Sequence, residues 1–145
     1  PGCRPVSSRW QEMVKRRTKM WKGFIFFLVG SLLAIKLFPR NIALASIMVL
    51  ALGDSVSHLV GQGFGKIRNI FNSNGTKLLE GTLFGTLAGF LGAFIFVPLP
   101  EAFLGSAGAM IAEVIKIDFN DHTLDDNIVV PLVAGTIMLL ISRFL

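Results

Sequence analysis

Tyrosine is absent from the 145-residue chain, and cysteine occurs once, as Cys3. A single thiol excludes an intrachain disulfide and a zinc cluster built from thiolates. Thirteen phenylalanines without one tyrosine mean aromatic packing that brings no phenolic hydroxyl to any site. Charge is also scarce: 16% of residues are charged against 52% hydrophobic, far from ordinary globular usage. With a mean hydropathy of +0.66, the chain reads as an integral membrane protein.

What charge there is lies unevenly. The first 22 residues hold Arg4, Arg9, Lys15, Arg16, Arg17, Lys19 and Lys22, and the apolar run GFIFFLVGSLLAI follows directly. A basic block abutting an apolar span reads as a juxtamembrane anchor for anionic lipid on the cytoplasmic side. Nucleic acid is not expected as a partner, because no globular domain stands behind the basic patch. A cleaved signal peptide is disfavoured by Lys36 and Phe38, which sit where small residues belong. With Pro1 rather than Met in first place, the chain is expected to be a processed or excised form.

Apolar segments at 23–38, 42–60, 79–97, 102–115 and 128–145 approach the ~17 to 25 residues of a membrane helix. Pro39, the Pro98 and Pro100 pair, and the polar stretch 118–126 separate them. The expected fold class is an all-α polytopic bundle of about five transmembrane helices with a cytoplasmic N-terminus. Residues 1–22 form the juxtamembrane segment and 23–145 the transmembrane catalytic core. Alternating spans put the basic loop 61–78 (Lys66, Arg68, Lys77) and the acidic loop 118–127 (Asp118, Asp121, Asp125, Asp126) on one side, the cytoplasmic one. Cations for phosphates facing carboxylates for Mg²⁺ would suit a metal-nucleotide. Gly81, Gly85, Gly89 and Gly92, with Gly105, Gly108, Ala109 and Ala112 in the next helix, read as close packing rather than catalysis.

Several polar groups need an account. Asp54, Ser57 and His58 share a helix face, and an acid in a membrane helix usually marks a site or a pathway. The alternative is that Asp54 pairs with Lys66 or Lys77 as a packing element. His58 reads first as a hydrogen-bonded packing residue, and His122 as solvated. GQGFGK, with Gly63 and Gly65, is not a P-loop: three residues rather than four separate Gly61 from Gly65, and Ile67 replaces Ser or Thr. Its glycines still let backbone N–H groups approach an anion beside Lys66. Glu80 in a first helical turn suits the helix dipole without any function. Glu113, with Lys116 near it on one face, is open between a site role and an ion pair. In DDNIVVPL, Pro131 has no N–H for the Asn127 carbonyl, so Asp126 and Asn127 form either an oxygen-rich corner for Mg²⁺ or ribose, or a plain capped helix start.

Gly53-Asp54, Gly65-Lys66, KLLEGT (Lys77 to Thr82), Glu113 and DNIVVPL (Asp126 to Leu132) together resemble the CTP-dependent lipid-alcohol kinases, the group with dolichol kinase, phytol kinase and CTP-using diacylglycerol kinase. The resemblance covers about residues 42–140. It implies a membrane enzyme that moves a phosphoryl group from CTP to a lipid hydroxyl with Mg²⁺ or a similar divalent ion. Carried over, Asp54, Lys77 and Glu80 are the catalytic candidates. Gly63, Gly65, Lys66, Lys77, Gly81, Thr82 and Asn127 would bind the nucleotide, and Asp126, Glu80 and Glu113 the metal. Ser57 and His58 depart from the small apolar residues expected there, and family members carry further helices before this core. The acceptor (diacylglycerol, polyprenol or phytol), the choice of CTP over ATP, and pairing of subunits into a homo-oligomer stay open. So do two rival readings: a cytidylyltransferase forming a CDP-lipid, and a small transport or assembly subunit.

Overall fold

A computed structural model describes residues 6–63, 79–119 and 126–145. The described residues form five helical rods with no strand among them. α1 is Val6–Leu37. α2 (Arg40–Met48), a π-helical segment (Val49–Asp54) and α3 (Ser55–Gly63) run on as the second rod. α4 (Leu79–Ala93), α5 (Leu99–Phe119) and α6 (Asp126–Phe144) complete the bundle.

The breaks follow local chemistry. Pro39, at φ −54° and ψ 149°, is extended and separates α1 from α2, and its carbonyl accepts the Ala43 N–H at 2.8 Å. α4 stops at Ala93, short of the expected 97, because Phe96 N–H turns back onto the Ala93 carbonyl at 2.9 Å before Pro98. α5 begins earlier than expected, at Leu99, since Pro100 is tolerated in a first turn, whose N–H groups have no helical acceptor. α1 passes through the expected boundary at residue 22 without a break; Lys and Arg are good helix formers, and no Gly or Pro interrupts Val6 to Lys22.

Glycine sets the spacing of the rods. α4 runs antiparallel along the second rod. A Cβ at Gly81 would lie 2.6 Å from the Ser57 carbonyl oxygen, and one at Gly85 2.7 Å from that of Gly53. Farther along, Gly89 meets Val49 and Gly92 meets Met48 and Leu52. Among groups as apolar as the lipid, such close approach supplies the dispersion contacts that hold membrane helices together. α5 joins through Ser106, whose hydroxyl donates to the Thr86 carbonyl at 2.7 Å, and through Met110 against Gly53 and Gly85. Gly105 and Gly108 of α5 receive Met138 and Ile137 of α6. The core is small and aliphatic: Ile42, Ala45, Val49, Leu50, Ala93, Ala109, Met110, Val130, Ala134 and Met138 are buried.

Leu83, Leu87, Leu91, Phe103 and Ile111 point outward, as lipid-facing side chains should. Among the described residues, three rods are long and apolar enough to cross a membrane: Trp10–Leu37, Arg40–Gly61 and Asn127–Phe144. α4 has 15 described residues, and α5 carries Glu101, Glu113, Lys116 and Asp118 along its length. Both nonetheless lie against the second rod at the depth of Met48 to Gly61.

The helix directions put Gly63, Leu79, Phe119, Asp126 and the basic part of α1 at one end of the bundle, as the alternation of spans predicts. Gly85→Ala should lower stability by about 1–3 kcal/mol through overpacking against backbone. Gly61→Ala, with nothing within 4 Å of the added carbon, should not lower it. Thermal unfolding in detergent separates the two.

Candidate functional site

Asp54 closes the π-helical segment, where the widened turn adds a residue just before α3. The peptide that follows is pinned: the Ser57 hydroxyl donates to the Asp54 carbonyl at 3.0 Å, and Ser57 is buried against Gly85. His58 lies one turn on, its Nε2 3.2 Å from Asp54 Oδ1. The Asp54 side chain is about one-third exposed (31%) and that of His58 about half (54%), so the pair opens to the bundle end. Glu113 reaches the same point from α5 and is buried, with 2% exposure.

One ligand atom each from Asp54, His58 and Glu113 lies within 4.8 Å of the others. Met110, one turn before Glu113, rests on Gly53 and Gly85, which fixes the register of α5 against the acid-bearing turn. Two carboxylates this close, one of them buried, repel unless a cation or a proton lies between them. Their oxygens are hard donors of the type that Mg²⁺ takes.

The structure therefore joins Asp54 and Glu113, which sequence reasoning placed in separate roles, and adds His58, which it read as a packing residue. The spacing of Asp54 and His58 is visible in DSVSH. The proximity of Glu113 is not, because it depends on how α5 sits against the second rod. Glu80 is half-buried in the first turn of α4, at the same end of the bundle.

Two expected ligand positions also pack helices. Gly81 is buried against Ser57 and Gly61, and its missing side chain admits α3. Asn127 is tied to α1: its amide donates to the Gly23 carbonyl at 3.4 Å, and its own carbonyl oxygen occupies the place a Gly30 side chain would fill. The oxygen-rich corner expected at Asn127 is thus roofed by α1. Thr82 is half-buried on α4, one residue beyond Gly81, and Gly63 is exposed at the end of α3. Gly65, Lys66 and Lys77 lie outside the described residues, as does the side chain of Asp126.

Gly30→Val would overlap the Asn127 carbonyl, a backbone atom that cannot swing away, and should release α1 from α6. Faster tryptic cleavage between Lys15 and Lys22 than in a Gly23→Ala control is the expected readout.

No family model and no solved structure matches the chain. It is 29% identical over 139 residues to CTP-dependent diacylglycerol kinase 1 of Schizosaccharomyces pombe, an alignment covering 83% of this chain and 61% of that protein. The chain thus spans less than two thirds of that relative's length.

Proposed function

We propose that this chain, a relative of the CTP-dependent lipid kinases, transfers the γ-phosphoryl group of CTP to the hydroxyl of a lipid alcohol, with diacylglycerol as acceptor. The observation that carries the reading is the meeting of Asp54 and Glu113, from separate helices, at the bundle end where the basic and acidic loops attach. The activity named for the Schizosaccharomyces pombe relative suggests the donor and the acceptor.

Phosphoryl transfer asks little covalent chemistry of a protein, which must hold the donor phosphates, neutralise their charge and align the acceptor oxygen. In this reading Lys66 and Lys77 clamp the phosphates as point charges, beside backbone N–H groups of the glycine-rich loop that follows Gly63 and contains Gly65. Thr82 borders the nucleotide. Asp54 and Glu113 hold a divalent ion, with Asp126 joining from the start of α6. When bound, that ion supplies charge neutralisation to the phosphate oxygens. The bond from the γ-phosphorus to the bridging oxygen breaks with its electron pair leaving on CDP, and the lipid hydroxyl oxygen bonds to phosphorus. Glu80 accepts the hydroxyl proton.

The acceptor arrives from the bilayer past Leu59 and Leu83, which are apolar and exposed beside the site. By the positive-inside rule the site faces the cytoplasm. The exposed cations Lys15, Arg16, Arg17 and Lys22 lie on the same side and attract anionic lipid.

The test is phosphoryl transfer from γ-labelled CTP in detergent with Mg²⁺, offering diacylglycerol, a polyprenol and phytol separately. Labelled phosphatidate should form. Asp54→Asn and Lys77→Ala should each slow it on the order of 100-fold, about 2.7 kcal/mol of transition-state stabilisation. Label in polyprenol or phytol alone would reassign the acceptor. Release of pyrophosphate with a CDP-lipid product, or no lipid product and no CTP binding, would overturn the kinase reading.

A further inference from the structure

The cluster at the bundle end holds one group that charge neutralisation by carboxylates does not require. His58 offers an imidazole nitrogen among the two acids, 3.2 Å from Asp54 Oδ1. Resting on the reading above that this corner holds a divalent ion, we infer that His58 is a direct ligand, making a mixed nitrogen and oxygen site with Asp54 and Glu113 that prefers a transition metal to Mg²⁺.

Three observations converge. Ligand atoms on one ion lie about 3.0 Å apart at right angles with bonds near 2.1 Å, and about 3.4 Å apart in a tetrahedron. The 3.2 Å between His58 and Asp54 falls between these values. The third donor comes from another helix, is buried and lies within 4.8 Å of the other two, so the three atoms do not lie along one helix surface. Both rods are held in register independently of the cluster, by Gly53 and Gly85 against Met110 and by the hydrogen bond from Ser106 to Thr86. Helix packing therefore brings the donors together.

The donor set then decides the ion. Oxygen-only sites suit Mg²⁺ and Ca²⁺, whereas imidazole favours the later first-row divalent ions, with affinity rising from Mn²⁺ through Co²⁺. An apolar residue at position 58 would leave a two-carboxylate site, so His58 sets metal preference in this chain.

The experiment uses the full chain in detergent without an affinity tag, titrated with Mn²⁺ alone and again with CTP. Electron paramagnetic resonance counts bound Mn²⁺, and electron spin echo modulation detects a coordinated nitrogen. The expected result is one Mn²⁺ bound more tightly than Mg²⁺, with nitrogen modulation present in wild type and in His122→Ala. His58→Ala should abolish the modulation and weaken Mn²⁺ at least about tenfold while leaving Mg²⁺ affinity little changed. His58 is half exposed, so the variant keeps its fold, which thermal unfolding verifies. Mn²⁺ bound without nitrogen modulation overturns the inference and leaves the two-carboxylate reading standing. Absence of Mn²⁺ binding with and without CTP overturns both the inference and the metal assignment beneath it, whatever the labelled-CTP assay shows.

Discussion

The contact on which the rest depends is backbone against backbone, where Gly81 and Gly85 of α4 lie on the carbonyls of Ser57 and Gly53. In an apolar solvent the hydrophobic effect does not press helices together, so attraction comes from dispersion and from the few polar links available. Both weaken steeply with distance. Side chains at these two glycines would push α4 outward, and Met110 would lose the surface that sets the height of α5. Glu113 reaches Asp54 because α5 sits at that height. The meeting of the two acids is therefore borne by residues that have no functional groups of their own.

The polar contacts show the same economy. Ser106 reaches the Thr86 carbonyl on the neighbouring helix, while Ser46, Ser57, Thr86 and Thr136 satisfy their hydroxyls on carbonyls of their own turn or the turn before. Such local bonds remove the cost of burying a hydroxyl without linking helices. Position in the bundle is thus set mainly by shape, and the acids at its end inherit that position.

Much of this was legible in the sequence. The five rods and their breaks follow from hydropathy and proline, both local properties, and the glycine stripe of α4 declared its packing role by its spacing. The placing of both loops and the basic segment at one end followed from counting spans. Where reading failed, the missing quantity was the register between elements distant in sequence. Glu113 and Asp54 are 59 positions apart (113 − 54), and nothing local to either encodes their height. His58 lies 3.2 Å from Asp54 on its own helix, a neighbour its spacing already shows, whereas the buried acid beside the pair does not appear in that spacing. At Asn127 the same distance in sequence hides a packing contact: the carbonyl that Pro131 deprives of its helical donor lies against Gly30 of α1.

The charge content of α5 also bears on how the protein is made. Every eighteen-residue stretch of α5 contains three or more charged residues, and Glu113 lies in the helix interior. An acid near a helix centre costs about 2.5–3.5 kcal/mol on the insertion scale, so α5 is costlier to insert alone than α6, whose interior carries no charge. Packing offsets that cost by burying Glu113 among the neighbouring helices. Insertion and packing are thus coupled for α5: the acid that meets Asp54 is sheltered once its neighbours are in place.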